Sequence, residues 1–199
     1  GTLAAAREAL KTRKPCLNLL GGFHHAFPHR GLGFCLLNDI AVAIAAMRAE
    51  GFTGRIGILD LDAHPPDGTA ACRNQLGEAW IGSISGSIFS EMQGVEEIFL
   101  EGASDALYLQ KLKELLQNMP SCSLYFVIAG GDVLAGDPFG KLNLTLSGVF
   151  QRDRMVEEKL RGSGSVWLPG GGYTEASWRV LAGTFWILSR FRAPEILAQ

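Results

Sequence analysis

RIGILDLDAHPPDG, residues 55–68, runs from an apolar segment straight into a string of acids around one histidine. Arg55 to Asp60 reads as a strand with an apolar centre. A short apolar run bounded by turn residues fits a strand buried on both faces, as in a parallel sheet covered by helices. The same form recurs three times. Cys16 to Leu20 leads into Gly21-Gly22-Phe23-His24-His25, and Ser123 to Ile128 (SLYFVI) leads into Gly130-Gly131-Asp132. Ser165 to Leu168 leads into Pro169-Gly170-Gly171-Gly172-Tyr173.

Helical segments separate these strands. Thr2 to Leu10 is a short one. Asn38 or Asp39 is placed to cap a second, through Ile40, Val42, Ala43, Ile44 and Met47 to Gly51. Ser104 or Asp105 is placed to cap a third, in which Tyr108, Leu109, Leu112, Leu115 and Leu116 recur at helical spacing. Two more are expected over about Leu146 to Leu160 and about Glu175 to Ser189. A further short strand lies near Trp80 to Ile84, and the Gly- and Ser-rich stretch after it shows no clear period. Strands alternating with helices predict βαβ units. The expected fold is one α/β domain over residues 1–199, in three layers, with a central, mostly parallel sheet and helices on both faces.

Composition narrows the function classes. Hydrophobic residues make up 47% and charged residues 19%, values of an ordinary globular chain, so disorder is not expected. Lys plus Arg number 18 against 20 Asp plus Glu, with no basic stripe, which argues against direct nucleic-acid binding. Cys16, Cys35, Cys72 and Cys122 are scattered without a C-x-x-C pair, which fits a reducing compartment. No apolar run is long enough for a membrane span and no signal pattern opens the chain, so the expected location is cytoplasmic.

In a parallel α/β sheet, ligands gather beyond the carboxyl ends of the strands. All four polar exits therefore fall at one end. Residues two apart in extended chain point the same way, so Asp62 and His64 can grip one ion together. A catalytic metal needs a third protein ligand and an open position. Asp132, at the mouth of another strand, is the natural candidate. Zinc suits such a set best, with Fe(II), Co(II) and Mn(II) as alternatives. A lone D-x-H is more often a turn; D-x-D-x-H beside Asp67, a distant GGD and a tandem histidine favours the metal.

Two carboxylates formally cancel a divalent charge, so bound water is acidified less than in a three-histidine site. A nearby base and an oxyanion donor are then required. His24 and His25 are the candidate bases, and the Tyr173 hydroxyl, on the Gly170-Gly171-Gly172 run, is the candidate donor. Asp60 and Asp67 can each orient a histidine. The glycine-rich turn lacks G-x-G-x-x-G and G-K-[ST], which argues against nucleotide binding.

GGFHHA (Gly21–Ala26), GFCLLNDIAVA (Gly33–Ala43), DLDAHPPDGT (Asp60–Thr69), GGDVLAGDPFG (Gly130–Gly140) and PGGGY (Pro169–Tyr173) together resemble the histone deacetylase family. That family shares its fold with the arginases and includes acetoin-utilisation-type and acetylpolyamine-type bacterial enzymes. The DLDAH and GGFHHA settings look closest to its class IV branch and bacterial relatives. The resemblance implies a zinc-dependent hydrolase that removes an acetyl or other acyl group from acyl-lysine or a small acylated amine. It implies Asp62, His64 and Asp132 as zinc ligands, His25 as general base and acid, and His24 as its electrostatic partner. Asp60 and Asp67 are then the acids paired with these histidines, and Tyr173 polarises the substrate carbonyl. Gly33, Phe34, Phe139, Gly171 and Gly172 would line a channel for the acyl-lysine stem. A monovalent cation such as K+ would sit on Asp60, Ser83 and the backbones of Asp62 and His64.

The chain departs from the family pattern in three places. Pro65-Pro66 stands where His-Gly or Gln-Gly is common, which stiffens the loop and removes two backbone donors. GGD replaces G-A-D or G-F-D. Only 23 residues precede His24, so part of the channel rim and of substrate recognition is expected to be absent or rebuilt. Two other classes stay open: an arginase-like two-metal hydrolase, and a non-catalytic module that grips an acylated ligand.

Overall fold

The computed structural model describes residues 1–88 and 92–189. The last residues of the 1–199 domain and part of the Gly- and Ser-rich stretch after Ile84 lie outside them. The strands are β1 (Pro15–Leu17), β2 (Ile56–Asp60), β3 (Ala79–Ser85), β4 (Val95–Phe99), β5 (Leu124–Ile128) and β6 (Gly164–Leu168). The helices are α1 (Thr2–Thr12), α2 (Asp39–Ala49), α3 (Asp67–Ala71), α4 (Arg73–Leu76), α5 (Asp105–Asn118), α6 (Leu146–Leu160) and α7 (Ser177–Ser189). The sheet order is β1-β6-β5-β2-β3-β4, and every pairing is parallel.

The side-chain alternation of one strand shows how two cores form. In β5, Leu124, Phe126 and Ile128 pack with Ala6, Ala9, Ile40, Ile44 and Met47 from α1 and α2. Tyr125 and Val127 point to the opposite face and pack with Tyr108, Leu112, Val149 and Val180 from α5, α6 and α7. All five residues of β5 are buried, as are all five of β2 and of β6. Burying a side chain such as Phe126 stabilises the fold by about 1.5–3 kcal/mol. Helices therefore cover both faces, and no helix among the described residues is long and apolar enough to cross a membrane.

Strand order reverses between β2 and β5. From β2 the chain winds outward through β3 and β4, then returns through α5 to β5 and proceeds to β6. Such a switch point opens a crevice at the carboxyl ends of its two strands. Those ends carry Asp60-Leu61-Asp62-Ala63-His64 and Gly130-Gly131-Asp132.

The element boundaries differ from expectation in physical detail. β1 ends at Leu17 because Asn18 Nδ2 turns back to the Leu20 carbonyl, leaving Leu19 and Leu20 exposed. Asn38, not Asp39, caps α2, its side chain accepting from Ala41 N. Asp105 opens α5, but its carboxylate takes the N–H and hydroxyl of Thr145 and so ties α5 to the start of α6. β4, α3 and α4 are additional elements.

Candidate active site

Asp62, His64 and Asp132 meet at the switch point, with one ligand atom from each lying within 4.8 Å of the others. His64 Nδ1 is 3.1 Å from Asp62 Oδ1 and 3.0 Å from Asp132 Oδ2. Backbone donors hold the carboxylates: His64 N and Gly171 N on Asp62 at 3.0 and 2.6 Å, and Ala63 N on Asp132 at 2.9 Å. His64 Nε2 donates to the Phe139 carbonyl at 3.0 Å.

That last bond tests whether a cation fits. A carbonyl only accepts, so Nε2 carries hydrogen, and Nδ1 faces two carboxylate oxygens. A positive charge at that point, either a proton on Nδ1 or a cation in its place, satisfies the set. The titration directions agree. Burial opposes a proton on His64, but the bonds to Asp132 and Asp62 outweigh it and push the ring up to about 10. Burial and the Asp62 charge raise Asp132, whereas the neighbouring histidines hold Asp62 low against its own burial.

The tandem histidines stand beside this set, their ring centroids 4.1 Å apart. His24 Nδ1 donates to Asp60 Oδ2 at 2.7 Å, and its Nε2 lies 3.7 Å from Asp62 Oδ1. Burial lowers His24, yet Asp60 and Asp62 more than offset it and push the ring up to about 9. His25 Nδ1 donates to Asp67 Oδ1 at 2.6 Å, and Gly68 N holds the same oxygen at 2.8 Å. A cavity of about 130 Å³ is lined by His24, His25, Asp62, His64, Gly171 and Tyr173. Burial, then Asp62 and Asp132, push the Tyr173 phenol up to about 12, so it retains its donor proton at neutral pH.

Three rings form the mouth. Phe34 and Phe139 centroids are 6.0 Å apart, Phe34 and Tyr173 5.8 Å, and Phe139 and Tyr173 4.8 Å, the last pair edge to face. Gly33 has φ +54°, and a Cβ there would lie 2.4 Å from His25 Cδ2, so no side chain fits. Gly171 faces the ligand carboxylates, a Cβ there falling 2.6 Å from Asp132 Oδ2. Gly172 instead packs toward Ser177, with a Cβ 3.0 Å from that residue's Cβ, and does not line the cavity that holds the histidines.

Ser83 lies directly across the ladder from Asp60 and is fully buried. Its hydroxyl closes no hydrogen bond of standard geometry, but it faces Glu97, its ladder partner on β4, and helps to hold that carboxyl down against burial. The oxygens of Asp60 and Ser83 together suit a small cation.

Sequence reasoning missed the struts beneath the site. Asp137 accepts from Phe139 N and Gly140 N at 3.0 Å each and from Tyr173 N at 2.8 Å, joining two of the exits. Asp39 accepts from Gly22 N and Phe23 N and holds the tandem-histidine turn. Arg152, fully buried on α6, donates to the carbonyls of Leu61 and Gly130 at 3.2 and 2.7 Å and is paired with Asp153. A signal was present. Arg152 and Asp153 fall between Val149 and Val156, on the apolar stripe of α6, where a charge needs a buried partner.

A histone deacetylase domain model matches residues 1–187. The chain belongs to the histone deacetylase family. An uncharacterized protein of Picosynechococcus sp. is 36% identical over 184 residues, covering 88% of this chain and 61% of the relative. Histone deacetylase 2 of Arabidopsis thaliana is 32% identical over 96% of this chain and 52% of its own length. The crystal structure of a histone deacetylase homologue from Aquifex aeolicus superposes with a TM-score of 0.80 at 27% identity, over 96% of this chain and 56% of that one. The six-stranded parallel sheet is thus the histone deacetylase fold. The chain spans about half the length of several relatives it matches.

Proposed function

We propose that this site is a zinc-dependent deacylase centre that hydrolyses the amide bond between an acyl group and an amine, of acyl-lysine or of a small acylated amine. The observation that carries this reading is the convergence of Asp62, His64 and Asp132, of which Asp62 and His64 line the same cavity as His25 and Tyr173. A divalent ion on those three ligands, zinc by the mixed nitrogen and oxygen donors or Fe(II) as the second choice, would polarise the acyl carbonyl and acidify a water.

The chain's own residues supply the rest. Asp67 fixes the His25 Nδ1 hydrogen, which leaves Nε2 as the nitrogen that takes the proton of the attacking water. As the water oxygen bonds to the carbonyl carbon, the Tyr173 hydroxyl donates to the oxygen that gains charge. The carbon–nitrogen bond then breaks and His25 returns its proton to the leaving amine, giving a free amine and a carboxylic acid, whose proton then passes to solvent or to the amine to leave the carboxylate. His24 is less suited to this role because both its nitrogens face acids, Asp60 and Asp62. It holds positive charge beside the site. We assign a monovalent cation, K+, to Asp60, Ser83 and the backbone of Asp62 and His64.

The test joins zinc quantification to an acyl-substrate panel on this chain. One bound zinc with release of free amine is expected. Metal and ligand binding without turnover would establish the non-catalytic module instead. Two metals per chain would favour the arginase-like reading.

A further inference from the structure

Above the histidines lies a wider cavity of about 480 Å³, lined by His25, His64 and Tyr173 and, toward solvent, by Leu32, Phe34 and Arg30. Arg30 is the cation in this wall. Its guanidinium carbon sits 4.7 Å from the centroid of Phe27, and Phe27 N donates to the Arg30 carbonyl at 2.9 Å to close the turn between them. Ring stacking and a closed turn fix where the charge points before anything binds. Among the described residues, no acid lies within ion-pair distance of Arg30. Asp67, the anion in the same wall, is already held by His25 Nδ1 and Gly68 N. The cavity therefore carries a positioned positive charge that nothing in the described chain neutralises.

We infer that Arg30 receives a carboxylate on the amine side of the substrate, so that the site selects acylated amines that bear a negative charge. This rests on the hydrolase reading above, because that reading fixes which part of the substrate faces Arg30. The acyl carbonyl must reach His25 and Tyr173 at the base, and the amine portion then extends past Phe34 to the exposed rim. Leu32 and Phe34 contact its apolar stem, and the guanidinium pairs with its carboxylate in a planar fork. The same chemistry comes from a free acylated amino acid or from an acidic residue beside an acyl-lysine in a peptide.

Matched substrates test this on the zinc-loaded chain. The first pair is Nα,Nε-diacetyl-lysine with a free α-carboxylate against its carboxamide. The second is a peptide with glutamate, or glutamine, directly after acetyl-lysine. At low salt the charged member of at least one pair should show kcat/KM about three- to ten-fold higher, through KM, and the gap should shrink as salt is added. Arg30→Gln should bring the charged substrate down to the level of its neutral partner, and Arg30→Glu should reverse the order. A preference confined to the first pair identifies small acylated amino acids; one confined to the second identifies protein substrates. Equal use of both members by the wild-type chain, or a preference that survives Arg30→Gln, overturns the inference. Absence of turnover on all four and on the wider acyl-substrate panel sinks the hydrolase reading instead. Calorimetric binding of the same pairs then decides Arg30: a charge preference lost in Arg30→Gln supports it, and none in the wild-type chain overturns it.

Discussion

At the floor of the site Asp62 and Asp132 are 1% and 0% exposed, and backbone N–H groups grip each carboxylate. At the mouth Phe34 and Phe139 are 80% and 51% exposed and touch each other and Tyr173 through ring contacts alone. The difference follows from what each region must do. Anions that share a buried position repel unless fixed donors and a cation hold them, so the floor has to be rigid before anything arrives. The rings at the mouth are held to one another by no directional bond, so they can move apart at low cost. Changes at the floor should therefore remove the metal, and changes at the mouth should slow turnover with the metal in place.

The floor should break first. Asp132→Ala is expected to bring bound zinc, measured on dialysed protein, close to zero and to abolish activity. Full retention of the metal would remove Asp132 from the ligand set. Tyr173→Phe should lower kcat by about 100-fold, the scale of one lost oxyanion donor, with metal content unchanged. Zinc loss in that variant would mean that floor and mouth are not separable.

Asp137→Asn sharpens the comparison, since Asp137 braces both mouth loops without touching the ligand set. A drop of roughly ten-fold in kcat at full zinc content is expected, in line with the effect of outer supporting residues. The smallest effect is a pH dependence of stability in chelator-treated protein. His24 and His64 are pushed up to about 9 and about 10 in the folded chain, above the unfolded value near 6.5. Folded protein then binds more protons than unfolded, so their stabilisation is complete below pH about 6.5 and is lost as pH rises through about 9–10. Urea midpoints measured from pH 6 to 10 should fall in the metal-free chain. Zinc takes the place of the His64 proton, so the decline should be shallower when it is bound. Parallel curves would argue against a shared position.

The central fold was legible because β2, β5 and β6 are buried on both faces and so appear as short apolar runs, each followed at once by its polar exit. β4 was not. VEEIF mixes acids with apolar residues because this edge strand is only partly buried. The short helices α3 and α4 arise from Pro66 and from tertiary packing, and no local period marks them. Within the site, residues that follow a strand in tight motifs stood out, including the Asp62, His64 and Asp132 set and both histidine–aspartate pairs. Asp137, Asp39 and Arg152 did not stand out, since an aspartate in a loop reads as a turn former and an arginine on a helix reads as solvated surface. Apart from the place of Arg152 on the apolar stripe of α6, their work is visible only once distant carbonyls and N–H groups have been folded against them.

The hydrogen bond from His64 Nε2 to the Phe139 carbonyl crosses the boundary between the two regions. A backbone shift of residue 139, as opposed to a turn of its ring alone, carries the acceptor of that imidazole hydrogen along with it. Should a metal bind below and a guest above through such a shift, the two are thermodynamically conjugate: whatever factor the guest applies to the metal's affinity, the metal applies to the guest's.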